Sequence, residues 1–250
     1  MKMSIAVPTW ESYGKGNEFL DDLFRTLEIQ TFQDFEVVVS DHSKDDKLVD
    51  VIDEFQHKFN ILYVKNKNDR GNGPANTNNA IDKCSGDIIK VMFQDDFFYD
   101  DEALKKIYYT LSNSDKTWLL NGSNHTQDDG RSFYWEMYPR WNDKLLEGVN
   151  SISSPSVLAF KNNVTRRFDT KLTYFMDVEF YYGMKEDYGD PILYNDVLIS
   201  NRVGEYSVTT NVSHKNRDYY VREETKYCKE KYGVLWILIL KNIMSLLITT

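Results

Sequence analysis

Short hydrophobic runs alternate with longer amphipathic stretches through roughly the first hundred residues of the chain. Runs such as Val37-Val38-Val39 are unbroken, which is typical of strands in a parallel sheet covered on both faces. The stretches between them place apolar residues at helical spacing, as Phe19, Leu23 and Leu27 show. The pattern predicts strands at residues 4–7, 35–40, 61–64 and 88–93, and helices at residues 17–30, 48–59, 72–84 and 102–111.

Strand and helix in alternation predict an α/β fold, a doubly wound and mostly parallel sheet with helices on both faces. After Trp118 the alternation loosens, and we interpret the second half as an extension of the same domain that covers the mouth of the sheet. The predicted organisation is one domain over residues 1–232, with a nucleotide-sugar-binding half at 1–111 and an acceptor and catalytic half at 112–232.

Polar residues follow each of the four predicted strands. They are found at residues 9–11, at Asp41, at residues 66–70 and at Asp95-Asp96. Ligands of parallel α/β sheets bind beyond the carboxyl ends of the strands, so these four clusters are predicted to converge on one binding edge.

Asp95 and Asp96 carry the strongest local signal. Two carboxylates at the end of a buried strand are costly unless a positive charge neutralises them, and Mg²⁺ or Mn²⁺ would do so with substrate phosphates completing the shell. The alternative is that one Asp only caps the following helix. Taken alone, the pair does not decide between the two.

Two other carboxylate positions are candidates. Asp41 either contacts a nucleotide base or ribose, or only forms a turn that caps the next helix. Asp177 and Glu179 lie in an aromatic segment that would raise a carboxylate pKa and so suit a general base, or they begin a solvated helix. Their spacing points them to different sides of a helix.

The charge and cysteine content narrow the class of protein. With 30 basic and 39 acidic residues, the chain has a formal charge of −9, which argues against a nucleic-acid partner. Its two cysteines, Cys84 and Cys228, match no metal or redox spacing and indicate a reducing compartment. The first residues lead directly into a strand, and we therefore expect a cytoplasmic protein.

The carboxyl-terminal segment, residues 233–250, is apolar at 234–240 and 243–248 with Lys241-Asn242 between them. It falls short of the roughly 20 uninterrupted apolar residues that span a bilayer. It is expected either to pack on the core or on another copy of the chain, or to contact a membrane surface through residues 234–248.

In the order and spacing of these features, the chain resembles the family 2 glycosyltransferases with the GT-A fold, over roughly residues 3–233. The segments that carry the resemblance are Ile5-Ala6-Val7-Pro8-Thr9-Trp10, Asp41-His42-Ser43-Lys44-Asp45, Ser85-Gly86-Asp87-Ile88-Ile89, Ser154-Pro155-Ser156 and Asp177. The resemblance implies an inverting transferase that moves a sugar from a nucleotide-diphosphate sugar to a hydroxyl of a glycan or glycoconjugate, with Mn²⁺ or Mg²⁺ as cofactor.

The resemblance also implies roles for individual residues. Asp177 would be the catalytic base, and the metal would be held by Asp96 and His214. The donor-binding residues would be Pro8, Thr9, Trp10, Glu11, Asp41, Arg70 and Asp95. Three positions depart from the family pattern, namely Phe93 in place of a first Asp, Thr77 in place of an Arg, and His42 in place of a small residue.

Two other functions remain open at the level of sequence. A sugar-phosphate nucleotidyltransferase could share the Asp pair and the architecture, but the chain has no Gly-rich phosphate loop with basic residues near its start. A non-catalytic carbohydrate-binding protein is the other alternative, suggested by Trp135, Tyr138 and Trp141.

Overall fold

The computed structural model describes residues 2–205, 207 and 216–233. Its amino-terminal half is built on four parallel strands in the order β3-β2-β1-β4. These are β1 (Met3–Thr9), β2 (Phe35–Asp41), β3 (Asn60–Lys65) and β4 (Ile88–Val91). Helices connect them in turn: α1 (Gly16–Glu28), α2 (Leu48–Phe55) and α3 (Gly73–Ile81).

The second half continues the same sheet in the order β4-β8-β6-β9-β5, with β7 also paired to β6. The strands of this part of the sheet are β5 (Phe97–Phe98), which comes from the end of the first half, and β6 (Trp118–Thr126), β7 (Tyr134–Met137), β8 (Leu158–Lys161) and β9 (Ile192–Arg202). The β6–β9 pair is parallel, whereas β5, β7 and β8 pair antiparallel with their neighbours. The predicted halves therefore share one continuous sheet.

Helices cover both faces of the sheet, which confirms the predicted α/β class. One face packs against α1, α2 and α4 (Ala103–Ser112), and the other packs against α3 and α5 (Met176–Tyr188). The last described helix, α6 (Arg217–Lys231), adds Cys228 to the second core. Burial of apolar side chains on both faces is what makes the central strands uniformly hydrophobic.

Several element boundaries differ from the sequence prediction by one to four residues, and two of them have a clear tertiary cause. The helix predicted to reach Phe59 ends at Phe55, and a turn then brings the Phe59 ring to 5.3 Å from that of Phe24. The strand predicted to reach Phe93 ends at Val91, because the Phe93 N–H leaves the sheet and donates to the Ser156 hydroxyl at 3.0 Å. In both cases a tertiary contact ends the element.

A contact between α6 and the segment before α5 fixes the start of α5. The buried Glu224 carboxylate accepts hydrogen bonds from the backbone N–H groups of Thr173, Tyr174 and Phe175, at 3.0, 3.0 and 2.7 Å. Free backbone N–H groups at a helix start favour a carboxylate partner, and here that partner comes from another helix.

Two sequence predictions fall outside the described residues: His214 and the apolar segment 234–250. Within the described ranges no helix is long and apolar enough to cross a membrane. Cys84 and Cys228 are both free thiols.

Candidate active site

The carboxyl ends of β1 and β2 form the first wall of the candidate site. Pro8 and Thr9 lie beside Ser40 and Asp41 in parallel register, so the polar residues that follow both strands begin at the same edge. The Thr9 carbonyl accepts from the His42 N–H at 2.9 Å and from the Asn76 amide at 3.0 Å. These bonds fix the backbone of both strand ends to α3.

Asp41 is fully buried at this edge. One carboxylate oxygen accepts from Tyr63 Oη at 2.7 Å and Lys65 Nζ at 3.0 Å, and the other accepts from the Ser43 N–H at 2.7 Å. Burial alone would raise the pKa of Asp41, but the hydrogen bonds from Ser43, Tyr63 and Lys65 outweigh it and lower this pKa below its ordinary value. The charge of Asp41 is thus compensated within the protein.

The loop after β1 is held by Gln94, the residue before the Asp pair. The Gln94 side chain accepts from the Trp10 N–H at 2.9 Å and donates to the Trp10 carbonyl at 3.0 Å. The Trp10 side chain stays partly exposed and packs edge-on against Tyr13, with ring centroids 5.1 Å apart. Glu11 is half-buried at the start of the short 3₁₀ helix Ser12–Gly14. Trp10 is therefore presented at the rim of the edge.

Arg70 is exposed in the loop between β3 and α3. Burial lowers the pKa of the nearby His42, and the positive charge of Arg70 contributes to this lowering. His42 is buried and its Nε2 lies 3.0 Å from the Asn66 amide nitrogen, so a neutral ring accepts at that position. Arg70 therefore places its guanidinium group at the open side of this edge.

Asp95 and Asp96 follow β4 at the centre of the edge. One Asp96 oxygen accepts from the Arg202 N–H and the other from the Ser154 hydroxyl, both at 3.1 Å. Burial raises the pKa of Asp96, and burial together with the charge of Asp96 raises the pKa of Asp95. Within the described residues, no cationic side chain is bonded to either carboxylate, which contrasts with Asp41.

A buried lysine lies behind the Asp pair. Lys90 is fully buried in β4, and its ammonium group donates to the carbonyls of Val91 at 3.0 Å and of Ser156. Burial lowers the pKa of Lys90 to about 7, whereas the nearby charge of Asp96 opposes that shift. The sequence prediction missed Lys90, although a lysine inside the run Ile88-Ile89-Lys90-Val91 is an unusual local signal.

Asp177 is partly buried in the first turn of α5. Its carboxylate accepts from the Asn150 amide at 2.7 Å and from the Val178 N–H at 2.7 Å. Burial raises the pKa of Asp177 to about 7, an effect that these two hydrogen bonds only partly offset. A carboxylate with a pKa near neutrality can accept a proton and release it again.

Glu179, the other acidic residue of this turn, faces the opposite way. It is fully buried, forms ion pairs of 2.8 Å with Arg166 and Lys231, and accepts from Tyr232 Oη at 2.5 Å. Gly183 leaves room for the arginine, since a Cβ there would lie 1.7 Å from the Arg166 guanidinium carbon. Glu179 thus joins α5 to α6, whereas Asp177, in the same first turn, is bonded in the described residues to an amide and a backbone N–H rather than to a cationic side chain.

A chain of hydrogen bonds links Asp177 to Asp96. Asn150 donates to Asp177 and also to the Ser153 carbonyl at 3.2 Å, and Asn201 donates to the Ser153 and Ser154 hydroxyls at 3.0 and 3.1 Å. Ser154 then donates to Asp96. Asn150 and Asn201 had no local sequence signal, because their partners come from distant segments of the chain.

The backbone between these partners is strained. Ser153 has a φ of +116°, and its carbonyl accepts from Tyr181 Oη at 3.2 Å as well as from Asn150. A non-glycine residue in that region persists only where surrounding contacts hold it, and such residues cluster at functional sites. The fold therefore places two kinds of carboxylate at one polar edge of the sheet. Asp95 and Asp96 have no cationic side chain bonded to them in the described residues, and Asp177 has a pKa near neutrality.

Comparison with known proteins identifies the family to which this chain belongs. Residues 4–171 match the glycosyl transferase family 2, which covers most of the chain, and the chain therefore belongs to that family. The family resemblance inferred from the sequence is confirmed. Asp177 lies beyond the matched residues.

Two curated relatives illustrate the match. GalNAc(5)-diNAcBac-PP-undecaprenol beta-1,3-glucosyltransferase of Campylobacter jejuni is 32% identical over 111 residues, which are 44% of this chain and 33% of the relative. Poly(ribitol-phosphate) beta-N-acetylglucosaminyltransferase TarS of Staphylococcus aureus is 30% identical over 108 residues, which are 42% of this chain and 18% of TarS. The chain thus spans a third or less of the length of these relatives.

Solved structures share the fold. The S. aureus TarS fragment 1–349 in complex with UDP-GlcNAc has a TM-score of 0.66 at 20% identity, over 82% of this chain and 59% of that one. The mannosyltransferase PcManGT of Pyrobaculum calidifontis, in complex with GDP-Man and Mn²⁺, has a TM-score of 0.60 at 15% identity, over 82% and 57%.

Proposed function

We propose that this chain is an inverting glycosyltransferase that moves a sugar from a nucleotide-diphosphate sugar onto a hydroxyl of a glycan or glycoconjugate. The observation that carries the proposal is the hydrogen-bonded chain from Asp96 to Asp177. It holds a carboxylate suited to a cation and a carboxylate suited to a proton in one polar site, within a chain that belongs to glycosyl transferase family 2.

The donor would bind along the edge formed by β1, β2 and β4. The predicted donor-binding residues Pro8, Thr9, Trp10, Glu11, Asp41, Arg70 and Asp95 all lie at or just beyond the carboxyl ends of strands. Trp10 presents a partly exposed ring for a nucleotide base, and Arg70 presents a cation for a diphosphate. Because Asp41 is already bonded to Tyr63 and Lys65, it would act mainly by fixing this wall. Complexes of relatives with UDP-GlcNAc and with GDP-Man support a nucleotide-sugar donor.

The residues at the end of β4 fit a divalent cation. Asp95 and Asp96 are adjacent carboxylates; burial raises the pKa of both, and the charge of Asp96 raises the pKa of Asp95 further, which is the electrostatic need that a hard cation would meet. Asp96 would hold Mn²⁺ or Mg²⁺, with Asp95 beside it and His214 as a predicted further ligand. A bound ion would supply positive charge to the departing diphosphate. The Mn²⁺ in the PcManGT complex supports this assignment.

Asp177 would act as the general base. Its carboxylate takes the proton from the acceptor hydroxyl while that oxygen attacks the anomeric carbon, on the side opposite the departing nucleoside diphosphate. Asn150 and the Val178 N–H orient the carboxylate through bonds of 2.7 Å each. One base and direct displacement invert the anomeric configuration, and no covalent sugar–enzyme intermediate is required.

The acceptor would be a glycan or glycoconjugate. The names of two relatives specify an undecaprenol-linked glycan and poly(ribitol-phosphate), both of which are saccharide or polyol chains with free hydroxyls. An acceptor on a lipid carrier would place the protein at the cytoplasmic face of a membrane. Residues 234–248 would then supply a peripheral membrane contact or a self-association segment.

A transfer assay with the full chain tests the proposal. UDP- and GDP-sugars are incubated with Mn²⁺, with Mg²⁺ or with EDTA, and nucleoside diphosphate release is measured against a panel of saccharide acceptors. We expect release of one diphosphate only in the presence of the cation, and an α-linked donor giving a β-linked product by NMR. Retention of configuration would overturn the inverting mechanism. Saccharide binding without consumption of any donor would instead establish a carbohydrate-binding protein.

A further inference from the structure

The hairpin after β6 carries an exposed tryptophan next to the candidate active site. Trp135 in β7 is 71% exposed, although tryptophan is costly to leave in water. Its ring is parallel-stacked on His125 of β6, with centroids 5.5 Å apart and planes inclined by 30°. The His125 Nδ1–H donates to the Trp135 carbonyl at 2.9 Å. One face of the indole is thus supported and the other is left open.

The backbone at Trp135 is held in an unfavourable conformation. Its φ is +46°, in the left-handed region that favours glycine, and the β6–β7 pairing shifts register between Ser123 and His125. Irregularities of this kind re-aim side chains, and a strained conformation persists where the surrounding structure enforces it. Nothing in the packing of the core requires a tryptophan here, because its side chain lies at the surface.

Strand register places this ring on the side of the sheet that carries Asp96. His125 pairs with Asn201 in the parallel β6–β9 ladder, so the two side chains emerge on the same face about 5 Å apart. Asn201 donates to Ser154, and Ser154 donates to Asp96, each at 3.1 Å. The tryptophan therefore stacks on a histidine whose ladder partner, Asn201, belongs to the hydrogen-bonded chain that organises the site.

The surroundings of the ring combine aromatic and polar groups. Trp135 borders an open cleft of about 540 Å³ that is lined by three further aromatic side chains and by four polar ones, namely Tyr99, Phe133, Tyr134, Asn124, Arg131, Ser132 and Glu136. An open aromatic face beside amide, guanidinium, hydroxyl and carboxylate groups matches a sugar ring, which has apolar C–H faces and a rim of hydroxyls.

We propose that Trp135, supported by His125, is a subsite that stacks on a sugar ring of the acceptor. This proposal rests on the proposed glycosyltransferase function and adds to it the place where the acceptor chain binds. The subsite holds the acceptor and takes no part in proton transfer, so its loss raises the acceptor KM and leaves the donor KM unchanged.

Kinetic measurements on three variants separate this role from a structural one. With cello- and chito-oligosaccharides of two to six units as acceptors, Trp135→Ala is expected to raise the acceptor KM about tenfold, and Trp135→Phe to restore most of the loss. Trp135→Gly should raise the KM equally while melting at a higher temperature, because glycine relieves the strain at φ +46°. Tyr109→Ala, which removes an exposed ring from α4, is the matched control and should change neither KM.

A direct binding measurement complements the kinetics. In protein labelled with 5-fluorotryptophan, the ¹⁹F resonance that is absent from Trp135→Phe is expected to shift on addition of the oligosaccharide that serves as acceptor. The subsite would be overturned if the wild type transfers sugar while its Trp135 resonance does not move and Trp135→Ala has unchanged KM values. It would also be overturned if Trp135→Ala changed only vesicle binding or oligomeric state. If the wild type consumes no nucleotide sugar at all, the proposed function fails, and a ¹⁹F shift with oligosaccharide would still establish the sugar-binding surface.

Discussion

The ends of β2 and β4 lie at the same edge of one sheet and both carry aspartate, yet their surroundings are opposite. Asp41 accepts from Lys65, Tyr63 and a backbone N–H, and its pKa is lowered. Asp95 and Asp96 lie among backbone N–H and hydroxyl donors with no cationic side chain bonded to them in the described residues, and their pKa values are raised.

The first turn of α5 repeats this contrast within three residues. Glu179 is compensated by Arg166 and Lys231, whereas Asp177 has only an amide and a backbone N–H. The difference separates acidic residues whose charge the fold has already neutralised from those whose charge a substrate or ion must neutralise. Losing a compensated carboxylate should therefore cost stability, and losing an uncompensated one should cost function.

The largest effect is expected from Asp177→Asn. Asparagine keeps the size and the Val178 contact but cannot accept the acceptor proton, so kcat should fall by about 10²–10⁴-fold with little change in donor KM. The measurement is steady-state transfer at saturating donor and Mn²⁺.

Glu179→Gln is the matched control, with the same chemical change two residues away. It leaves Arg166 and Lys231 without their buried partner, and we expect a loss of about 3–5 kcal/mol in unfolding free energy, with kcat nearly retained below the melting temperature. A catalytic collapse in Glu179→Gln beside an active Asp177→Asn would reverse the assignment of the base.

The second prediction sets Asp96→Asn against Asp41→Asn. A nucleoside diphosphate with Mn²⁺ at about 100 times its Kd should stabilise the wild type by about 2.7 kcal/mol, and Asp96→Asn should abolish this gain. Asp41→Asn should lower the baseline melting temperature, because Lys65 and Tyr63 lose a charged acceptor, and should keep the Mn²⁺ dependence. Thermal melts with UDP and GDP, with and without Mn²⁺, measure both. Equal Mn²⁺-dependent shifts in wild type and Asp96→Asn would remove the metal assignment.

A smaller effect is expected from Asn150→Ala. Asn150 orients Asp177 and its hydrogen bond lowers the pKa of that carboxyl, so the variant should lose about tenfold in kcat and need a higher pH for full activity. Asn142→Ala is the matched control, because the Asn142 side chain accepts from the Lys144 N–H in the same loop and has no hydrogen bond to Asp177 in the described residues. Its kcat and pH profile should match those of the wild type. An unchanged pH profile in Asn150→Ala would show that the contact does not tune the base.

The last prediction concerns the pH dependence of the wild type, which needs no substitution of the site. Burial raises the pKa of Asp177 from an ordinary 3.8 to about 7, so kcat/KM should rise about tenfold per pH unit below 7 and level off above it. The stability of the protein should fall as the pH rises, whereas its activity should increase. The folded state favours the protonated Asp177 carboxyl, and the resulting gain in unfolding free energy is complete below about pH 4 and is lost as the pH rises through about 7. The melting temperature of Asp177→Asn should therefore exceed that of the wild type increasingly between about pH 4 and pH 7, and the difference should level off above pH 7.

Much of the amino-terminal half could be predicted from hydrophobic periodicity. The strands and helices from β1 to α4 lie close to their predicted positions, because buried parallel strands and amphipathic helices have distinct local patterns. The antiparallel pairing of β5, β7 and β8 could not be predicted. These strands are two to four residues long and carry no local record of their partners.

The acidic residues of the site could be identified from their positions after strands and in α5, but their electrostatic state could not. Whether Asp177 or Glu179 is compensated depends on Asn150, Arg166 and Lys231, which lie 27, 13 and 52 residues along the chain from the carboxylates that they contact. His214 and its predicted role as a metal ligand remain a prediction, since it lies outside the described residues.

Glu224 of α6 holds the backbone of residues 173–175 through the hydrogen bonds described above, and we call this contact the Glu224 clamp. Because α6 is synthesised late, the clamp can form only after most of the site has been made. Its hydrogen bonds join residues 49 to 51 positions apart, and the clamp comes from α6, the last described helix. A ribosome adding about 5–20 residues per second makes α6 several seconds after Asp177. During that interval the nascent chain can already form β1 to β4, while the segment before α5 has no partner for its N–H groups. With Asp177 as the proposed base, the nascent chain can thus form β1 to β4 before the helix bearing Asp177 is fixed, and we expect catalytic competence only once α6 has docked.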